Sequence, residues 1–247
     1  IVLPTVAEGE SNWIPIGNYA GTNNPNHYNG NIDGNGHTIS NLTVNTTVSG
    51  AGFIGQINGG SIKNLTLSNV NIHSTSSYVA GIAATVSSSK VTIENCHILN
   101  GTIQSNGPGA AGILGLGGGS VRVMNCTNKA NISGNGNYVG GISGYASCDN
   151  CQNYGTIINN TTERGYTGGI TGRGDVTGST NSGNVTSYKT VAGITGAGDV
   201  TVSRNSGNIT GTGIEVCGIS GIGYVTNSHN TGNIYSTGQY AAGIIGQ

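Results

Sequence analysis

The chain has 247 residues, of which 46 are Gly, 8 are Lys or Arg and 9 are Asp or Glu. Charged residues make up 7% of the chain, against about 25% in an average soluble domain. A formal net charge of −1 excludes a protein that binds nucleic acid by neutralising many phosphates. No run of apolar residues is long enough to cross a membrane, so we expect no membrane insertion in this segment.

Residues 1–31 contain the only Trp of the chain and no copy of the repeat that fills the rest. Three of the four prolines lie here, namely Pro4, Pro15 and Pro25. The open edge of the first coil of a repeat structure has to be covered. We therefore predict an N-terminal cap over 1–31, with Trp13, Ile14 and Ile16 lying on the core.

From residue 32 onward, a signature of a small residue, Gly and an apolar residue recurs eight times. The apolar residue recurs at steps of 29, 31, 29, 28, 24, 25 and 25 residues. These residues are Phe53, Ile82, Ile113, Ile142, Ile170, Ile194, Ile219 and Ile244. Regular self-similarity at this period is typical of solenoid proteins.

Two further columns of β-branched residues keep step with the signature. One contains Ile62, Ile93, Val123, Cys148, Val176, Val200 and Val225. The other contains Ile72, Ile103, Ile132, Ile157, Val185, Ile209 and Ile234. Short β-branched segments bounded by Gly, Asn and Ser read as strands. The sequence therefore predicts a right-handed, three-sided parallel β-helix with about eight coils of 24–31 residues, in which 32–247 form a single domain.

Two other columns have a structural explanation. The residue before the signature Ile is Gly in all eight coils, so this position either has a positive φ or leaves no room for a Cβ. A column of asparagines contains Asn128, Asn153, Asn181, Asn205 and Asn230. Amides stacked one coil apart can donate to one another, so we predict a hydrogen-bonded ladder at this corner.

The chain ends in the middle of a coil, at Ala242-Gly243-Ile244-Ile245-Gly246-Gln247. An uncovered last coil exposes sheet edges, so we expect this sequence to be part of a longer polypeptide. Any signal peptide or anchor would then lie outside this segment.

Several motifs resemble those of proteins that carry GLUG repeats. They are Trp-x-Pro-Ile-Gly at 13–17, Gly-x-Ile-Asp-Gly-x-Gly-x-Thr-Ile-x-Asn-Leu at 30–42, Ala-Gly-Phe-Ile-Gly at 51–55, Ile-Lys-Asn-Leu at 62–65, and the repeat units at 181–196 and 205–221. The resemblance implies a β-solenoid from a bacterial cell-surface or secreted protein, such as an adhesin or the non-catalytic region of an IgA-cleaving metallopeptidase. The His-Glu-x-x-His motif of the metallopeptidases does not occur here, so their chemistry does not carry over.

The five cysteines fall on repeat positions that other coils fill with small or apolar residues. Buried free thiols are therefore the favoured interpretation. A disulfide between Cys126 and Cys151, one coil apart, is an alternative, whereas a metal site would need about four ligands. We expect no metal and no cofactor.

Asp175 and Asp199 occupy the same position of successive coils, each in a Gly-Asp-Val-Thr segment. Carboxylates about 5 Å apart suit a retaining glycosidase, with Arg173 or Arg204 available for substrate charge. The alternative, which we favour, is that each carboxylate accepts backbone N–H groups in a turn. The two residues are thus weak catalytic candidates.

Four tyrosines precede the signature Ile by four residues, namely Tyr78, Tyr138, Tyr166 and Tyr240. Gly109, Thr190 and Glu215 fill the same position in other coils, and this tolerance predicts that the position faces solvent. An exposed row of rings with polar tips is suited to binding sugars. The alternative is that the rings only cover the corner.

The favoured function is a non-enzymatic stalk or adhesin-type module of a bacterial cell-surface or secreted protein, outside the cell. It would contact a glycan or a host or cell-surface protein through one face. One alternative is a carbohydrate-active enzyme, a hydrolase or lyase, that uses Asp175 and Asp199. The other is an accessory, non-catalytic domain of a large secreted peptidase.

Overall fold

The computed structural model describes residues 1–17, 26–87 and 90–246. In these residues the chain is all-β, and its strands stack in parallel as a β-solenoid of about eight turns. This confirms the predicted all-β parallel solenoid of about eight coils, whereas its right-handed, three-sided form stays a prediction. The described residues form no helix that is long and apolar enough to span a membrane.

The strands form four parallel sheets, here called I to IV. Sheet I contains Asn31–Asp33, Ile54–Ile57, Gly60–Lys63, Ala83–Val86, Val91–Glu94, Leu114–Leu116, Gly118–Met124, Ser143–Asp149, Thr171–Arg173, Val176–Thr177, Thr195–Ala197, Val200–Thr201, Ser220–Ile222 and Val225–Thr226. Sheet II contains Thr38–Ser40, Thr66–Ser68, His97–Ile98, Thr127–Asn128, Gln152–Asn153, Thr180–Asn181, Arg204–Asn205 and His229–Asn230.

The other two sheets complete each coil. Sheet III contains Thr43–Thr46, Val70–Ser74, Gly101–Ser105, Asn131–Gly134, Ile157–Asn159, Val185–Ser187, Ile209–Gly211 and Ile234–Ser236. Sheet IV contains Val79–Ala80, Ala110–Ala111, Tyr138–Gly140, Tyr166–Gly168, Thr190–Ala192, Glu215–Cys217 and Tyr240–Ala242. Each strand pairs with its equivalent in the next coil, so one repeat position becomes one column.

The strand register confirms two of the predicted apolar columns. In sheet I, Ile62 pairs with Ile93, and Ile93 with Val123. In sheet III, Ile72 pairs with Ile103. These side chains are buried in one continuous core, which is what β-branched residues on the inner side of a parallel sheet are expected to do.

The signature Ile lies at a corner between two sheets and outside any strand. In the second coil, Val79–Ala80 of sheet IV ends just before Gly81 and Ala83–Val86 of sheet I begins just after Ile82. The Ile side chain is fully buried. The chain therefore bends at the signature, which divides what the sequence pattern presents as one apolar segment into strands of two sheets.

The Gly of the signature is required for space. A Cβ on Gly169 would lie 2.1 Å from the Gly193 carbonyl oxygen and 2.3 Å from Asn181 Cγ. Real Cβ atoms do not approach other heavy atoms so closely, and Gly169 has no positive φ. Of the two predicted reasons for this Gly column, close approach of the backbone is therefore the correct one.

The predicted asparagine ladder is present and buried. The Nδ2 of each member donates to the Oδ1 of the next, at 2.9 Å from Asn128 to Asn153 and 2.8 Å from Asn153 to Asn181. The ladder continues at 2.7 Å to Asn205 and 2.7 Å to Asn230. Each Nδ2 also donates to the carbonyl two residues ahead in its own coil. The amides thereby supply the partners that buried polar groups need.

The segment before the first coil runs along it through single bridges, such as Val2 to Ser40 and Ile16 to Ile54. Trp13 stacks on Phe53 with ring centroids 5.1 Å apart, and Ile16 packs against the core. The expectation for Ile14 is wrong, because this side chain is 89% exposed. An extended chain turns alternate residues to opposite sides, so Trp13 and Ile14 do not share a face. Residues 18–25 of the predicted cap, including Pro25, lie outside the described residues.

Candidate functional site

One surface of the solenoid carries a cluster of rings and one arginine. We call it the tyrosine face and define it as Tyr138, Tyr145, Tyr166 and Arg173. Tyr138 and Tyr166 come from sheet IV, and Tyr145 and Arg173 come from sheet I. The face therefore spans the corner formed by the signature.

Strand register brings the first two rings together. Tyr138 pairs with Tyr166 in adjacent coils, and their rings stack with centroids 6.4 Å apart and planes 16° from parallel. The next residue of each strand, Val139 or Thr167, is fully buried. Because alternate residues of a strand point to opposite sides, the rings lie on the outer surface.

The same coils bring Tyr145 and Arg173 against these rings. Tyr145 pairs with Arg173 in sheet I, and its ring tilts against Tyr138 with centroids 5.3 Å apart. The Arg173 guanidinium carbon lies 5.2 Å from the centre of the Tyr145 ring, in the range of a cation–π contact. A hydrogen bond to the Tyr138 side chain is the main cause that raises the pKa of Arg173.

Two grooves open beside the tyrosine face and share Ile222. One is lined by Tyr145, Arg173, Asp175 and neighbouring backbone. The residues that line the other include Arg164, Tyr166, Lys189, Thr190 and Glu215. Their linings come from several coils, and Ile222 lies between the two grooves.

The tyrosine position is less uniformly exposed than the sequence predicts. Glu215, which fills it two coils after Tyr166, is only 5% exposed. Its Oε2 accepts a hydrogen bond from the Thr190 hydroxyl at 2.9 Å, and the backbone of Gly246 in the last coil lies against it. The Thr190 hydroxyl in the preceding coil therefore replaces water as the partner of this carboxylate. Tolerance of different residue types at the position did not indicate this contact.

The four predicted tyrosines do not all meet. Tyr78 is separated from Tyr138 by the coil of Gly109, and its ring lies over that glycine. Tyr240 is separated from Tyr166 by the coils of Thr190 and Glu215. The sequence did not predict Tyr145 as part of this face, because Tyr145 lies outside the tyrosine column. The bend of the chain at the corner brings its ring against Tyr138.

Asp175 and Asp199 lie in exposed turns of adjacent coils. Asp175 Oδ1 accepts the backbone N–H of Asp199 at 3.0 Å, and Asp199 Oδ1 accepts the N–H of Tyr224 at 2.9 Å. Each carboxylate thus links its turn to the equivalent turn of the next coil. These bonds are those of the turn interpretation, and the catalytic role stays a prediction.

All five cysteines are buried and free. Cys96, Cys126 and Cys151 form a thiol column, in which the Cys96 N–H contacts Cys126 Sγ at 3.4 Å. Burial raises the pKa of Cys126 and of Cys148 well above the usual thiol value. Among the residues described, no group of three or more His, Cys, Asp or Glu is placed to hold a metal ion.

Comparisons with known proteins agree with the fold. No family model matches the chain, and no curated protein sequence matches it significantly. A solved structure from Bacteroides ovatus, described as a "putative immunoglobulin A1 protease", is similar, with a TM-score of 0.60 and 19% identity over 96% of this chain and 74% of that chain. At this identity the likeness concerns the fold alone. The resemblance to GLUG-repeat proteins stays a prediction from sequence motifs.

Proposed function

We propose that this chain is a non-catalytic display module of a bacterial protein that is secreted or anchored at the cell surface. The observation that carries the proposal is the unbroken stacking of every strand column and of the asparagine ladder through successive coils. The fold shared with a structure described as a "putative immunoglobulin A1 protease" supports placement in a secreted protein, including as an accessory domain of a large peptidase.

Stiffness would be the first contribution of such a module. Each coil contacts only its neighbours, so the stability of the structure is approximately a sum over coils. Backbone hydrogen bonds between coils run along the solenoid axis, and the buried amides add a second set in the same direction. A stack of this kind keeps whatever is attached at one end at a fixed distance from the other.

Contact with a glycan or a host-cell protein would be the second contribution. The tyrosine face offers ring surfaces with polar tips at the spacing of the coils. Contacts that are individually weak become effective when several occur on one rigid support. The rings of Tyr138 and Tyr166 are the residues we assign to this contact.

The competing function is glycan cleavage by Asp175 and Asp199. Both carboxylates bind backbone N–H groups of the next coil, which supports a structural role. The test is to incubate the chain with a panel of polysaccharides and to assay new reducing ends and unsaturated products. We expect no product from any polysaccharide. Product that disappears in Asp175→Asn or Asp199→Asn, with unchanged circular dichroism, would overturn the proposal.

A further inference from the structure

Arg173 carries a positive charge that no carboxylate of the described residues neutralises by an ion pair. The ion pairs in this part of the chain are Lys63 with Glu94 and Arg122 with Asp149. Asp175 lies two residues away, but its carboxylate binds the Asp199 N–H. The Arg173 side chain is exposed and is held by tyrosine rings.

The contacts of Arg173 fix its orientation and leave part of its hydrogen-bonding capacity free. A guanidinium has five N–H donors in a planar fork, which suits the two oxygens of a carboxylate or the oxygens of a sulfate. The guanidinium lies over the Tyr145 ring, and a hydrogen bond to the Tyr138 side chain restricts it further. Less side-chain entropy is therefore lost when an anion binds.

Positive charge is concentrated around this face. Arg164 and Lys189 line the groove beside Tyr166, so three of the eight Lys and Arg residues of the chain surround the tyrosine face. Two carboxylates also line these grooves, namely Asp175 and the buried Glu215, so three positive side chains stand against two negative ones. In a chain of net charge −1, this local excess favours an anionic ligand.

The rings themselves favour a carbohydrate. Tyr138 and Tyr166 present half-buried rings in adjacent coils, and the apolar ring surface that their mutual contact leaves exposed suits the C–H groups of a sugar. Hydroxyl groups at the ring tips supply polar contacts. The two open grooves lie on either side of the tyrosine face, where neighbouring units of a bound sugar chain would be placed.

We infer that the tyrosine face binds an anionic glycan, with Arg173 holding the acid group of one sugar and the rings of Tyr138 and Tyr166 contacting its neighbours. This inference rests on the proposed function, in which the tyrosine face is the contact surface. The shared chemistry is an acid group on a sugar, and the probes below separate carboxylated from sulfated glycans.

The experiment is calorimetric titration of the chain with two matched pairs of probes. The first pair is hexagalacturonate and its methyl ester, in which esterification removes the carboxylate charge and leaves the sugar backbone unchanged. The second pair is chondroitin sulfate hexasaccharide and its desulfated form. We expect the more acidic member of at least one pair to bind about tenfold or more tightly than its partner, and Arg173→Gln to abolish that difference.

Matched variants control for indirect effects. Lys129→Gln removes an exposed cation that lies over the Tyr154 ring, outside the tyrosine face, and we expect it to leave affinity unchanged. Tyr166→Ala should weaken binding of both members of a pair, whereas Tyr235→Ala, which removes an exposed ring of sheet III, should not. Melting temperatures of all variants establish that each is folded.

Two results would overturn the inference in distinguishable ways. If both members of each pair bind equally, with dependence on Tyr166 and none on Arg173, the face binds glycans without selecting an acid. If none of the four probes binds, anionic glycan recognition is rejected. A binding role for the tyrosine face then fails as well if neutral glycans and cell-surface proteins show no dependence on Tyr138 and Tyr166.

Discussion

The first three coils and the five that follow differ in the side chains that fill the inner side of the sheet II corner. The first three place Ile39, Leu67 and Ile98 in the core, and the later ones place the asparagine ladder there. In the early coils the amides lie outside, where Asn69 Nδ2 donates to Asn41 Oδ1 at 2.9 Å. In the first three coils the corner is thus apolar on the inside and polar on the outside. In the five coils that follow, its inner side is polar.

Chain length differs between the two forms of the corner. Ile98 pairs with Asn128 in sheet II, and Thr102 pairs with Asn131 in sheet III. The early corner therefore takes four steps along the chain, from 98 to 102, and the later one takes three, from 128 to 131. In the early corner a peptide group finds its partner on the outside, where the Asn69 N–H donates to Asn100 Oδ1 at 2.6 Å.

The shorter corner of the later coils needs polar side chains on its inner side to bind its backbone carbonyl groups. In the later coils the Nδ2 of each ladder residue donates to the carbonyl two residues ahead, for example Asn181 to Gly183 at 2.9 Å. A side chain without an amide cannot supply that bond. The two corners are therefore alternative solutions, and single substitutions cannot convert one into the other.

The largest effect is expected for Asn181→Ala. The change leaves Gly183 O, Asn153 Nδ2 and Asn205 Oδ1 each short of a buried partner. We expect a loss of about 3–4 kcal/mol in the free energy of unfolding, since each unsatisfied buried group costs about 1–3 kcal/mol. Urea denaturation measures it.

The matched control is Asn184→Ala in the same coil, where an exposed amide accepts one N–H from Asn208. We expect a loss below about 1 kcal/mol there. Equal losses in the two variants would mean that the buried ladder does not stabilise the later coils more than an exposed amide does.

The next effect is expected for Gly169→Ala, which adds a Cβ where Asn181 and the Gly193 carbonyl already lie. Overpacking of this kind costs about 1–3 kcal/mol, and we expect a value near the top of that range. The control is Gly243→Ala at the same signature position of the last coil, where a Cβ has nothing within 4 Å. A neutral Gly169→Ala would show that the backbone and ladder are less closely packed than described.

A smaller effect concerns alkaline pH and the buried thiol of the later coils. Burial raises the pKa of Cys217 from 9.0 to about 12. The unfolded thiol loses its proton above pH 9 while the folded one keeps it, so stability is unaffected below pH 9 and falls between pH 9 and 12. By linkage, this shift in a fully buried thiol corresponds to about 2 kcal/mol at pH 10.5.

Cys217→Ala isolates that contribution, because Ala192 and Ala242 occupy the same position in the adjacent coils. We expect the variant to lose less stability than the parent chain between pH 9 and 10.5 in parallel urea titrations. Identical pH profiles would mean that Cys217 ionises as readily in the folded state as in the unfolded one.

The smallest effect is expected for Cys126→Ser. The thiol column becomes a hydroxyl column in the later coils, where the Cys151 N–H donates to Ser179 Oγ at 3.0 Å. A serine at 126 can accept the Cys96 N–H in the same way, so we expect a change below about 1 kcal/mol. Cys148→Ser, in the Val column, should cost about 1–2 kcal/mol because it buries a hydroxyl among apolar neighbours. Equal costs would remove the distinction between the two columns.

Much of the fold can be predicted from the sequence because the repeats of one chain can be aligned with each other. Columns such as Ile62 with Ile93 are adjacent in space since every coil has the same path. The asparagine ladder follows from the same logic. The change from an apolar side chain at Ile98 to an amide at Asn128 could not be predicted in this way. An Ile and an Asn at one repeat position look unrelated until the strand register pairs them.

The candidate site could be predicted only along columns. The pairing of Tyr138 with Tyr166 follows from the repeat, whereas Tyr145 and Arg173 reach Tyr138 across a corner whose angle depends on packing. Contacts between different columns are set by three-dimensional packing and leave no periodic signal.

The most direct test of the account is hydrogen exchange of the intact chain with saturating hexagalacturonate and, separately, chondroitin sulfate hexasaccharide, each glycan then recovered and weighed by mass spectrometry. At least one glycan is expected to slow exchange in peptides covering 138–145 and 166–173 and to be recovered at its original mass. Slowed exchange centred on 174–177 and 198–201, together with shorter glycan products, would contradict it.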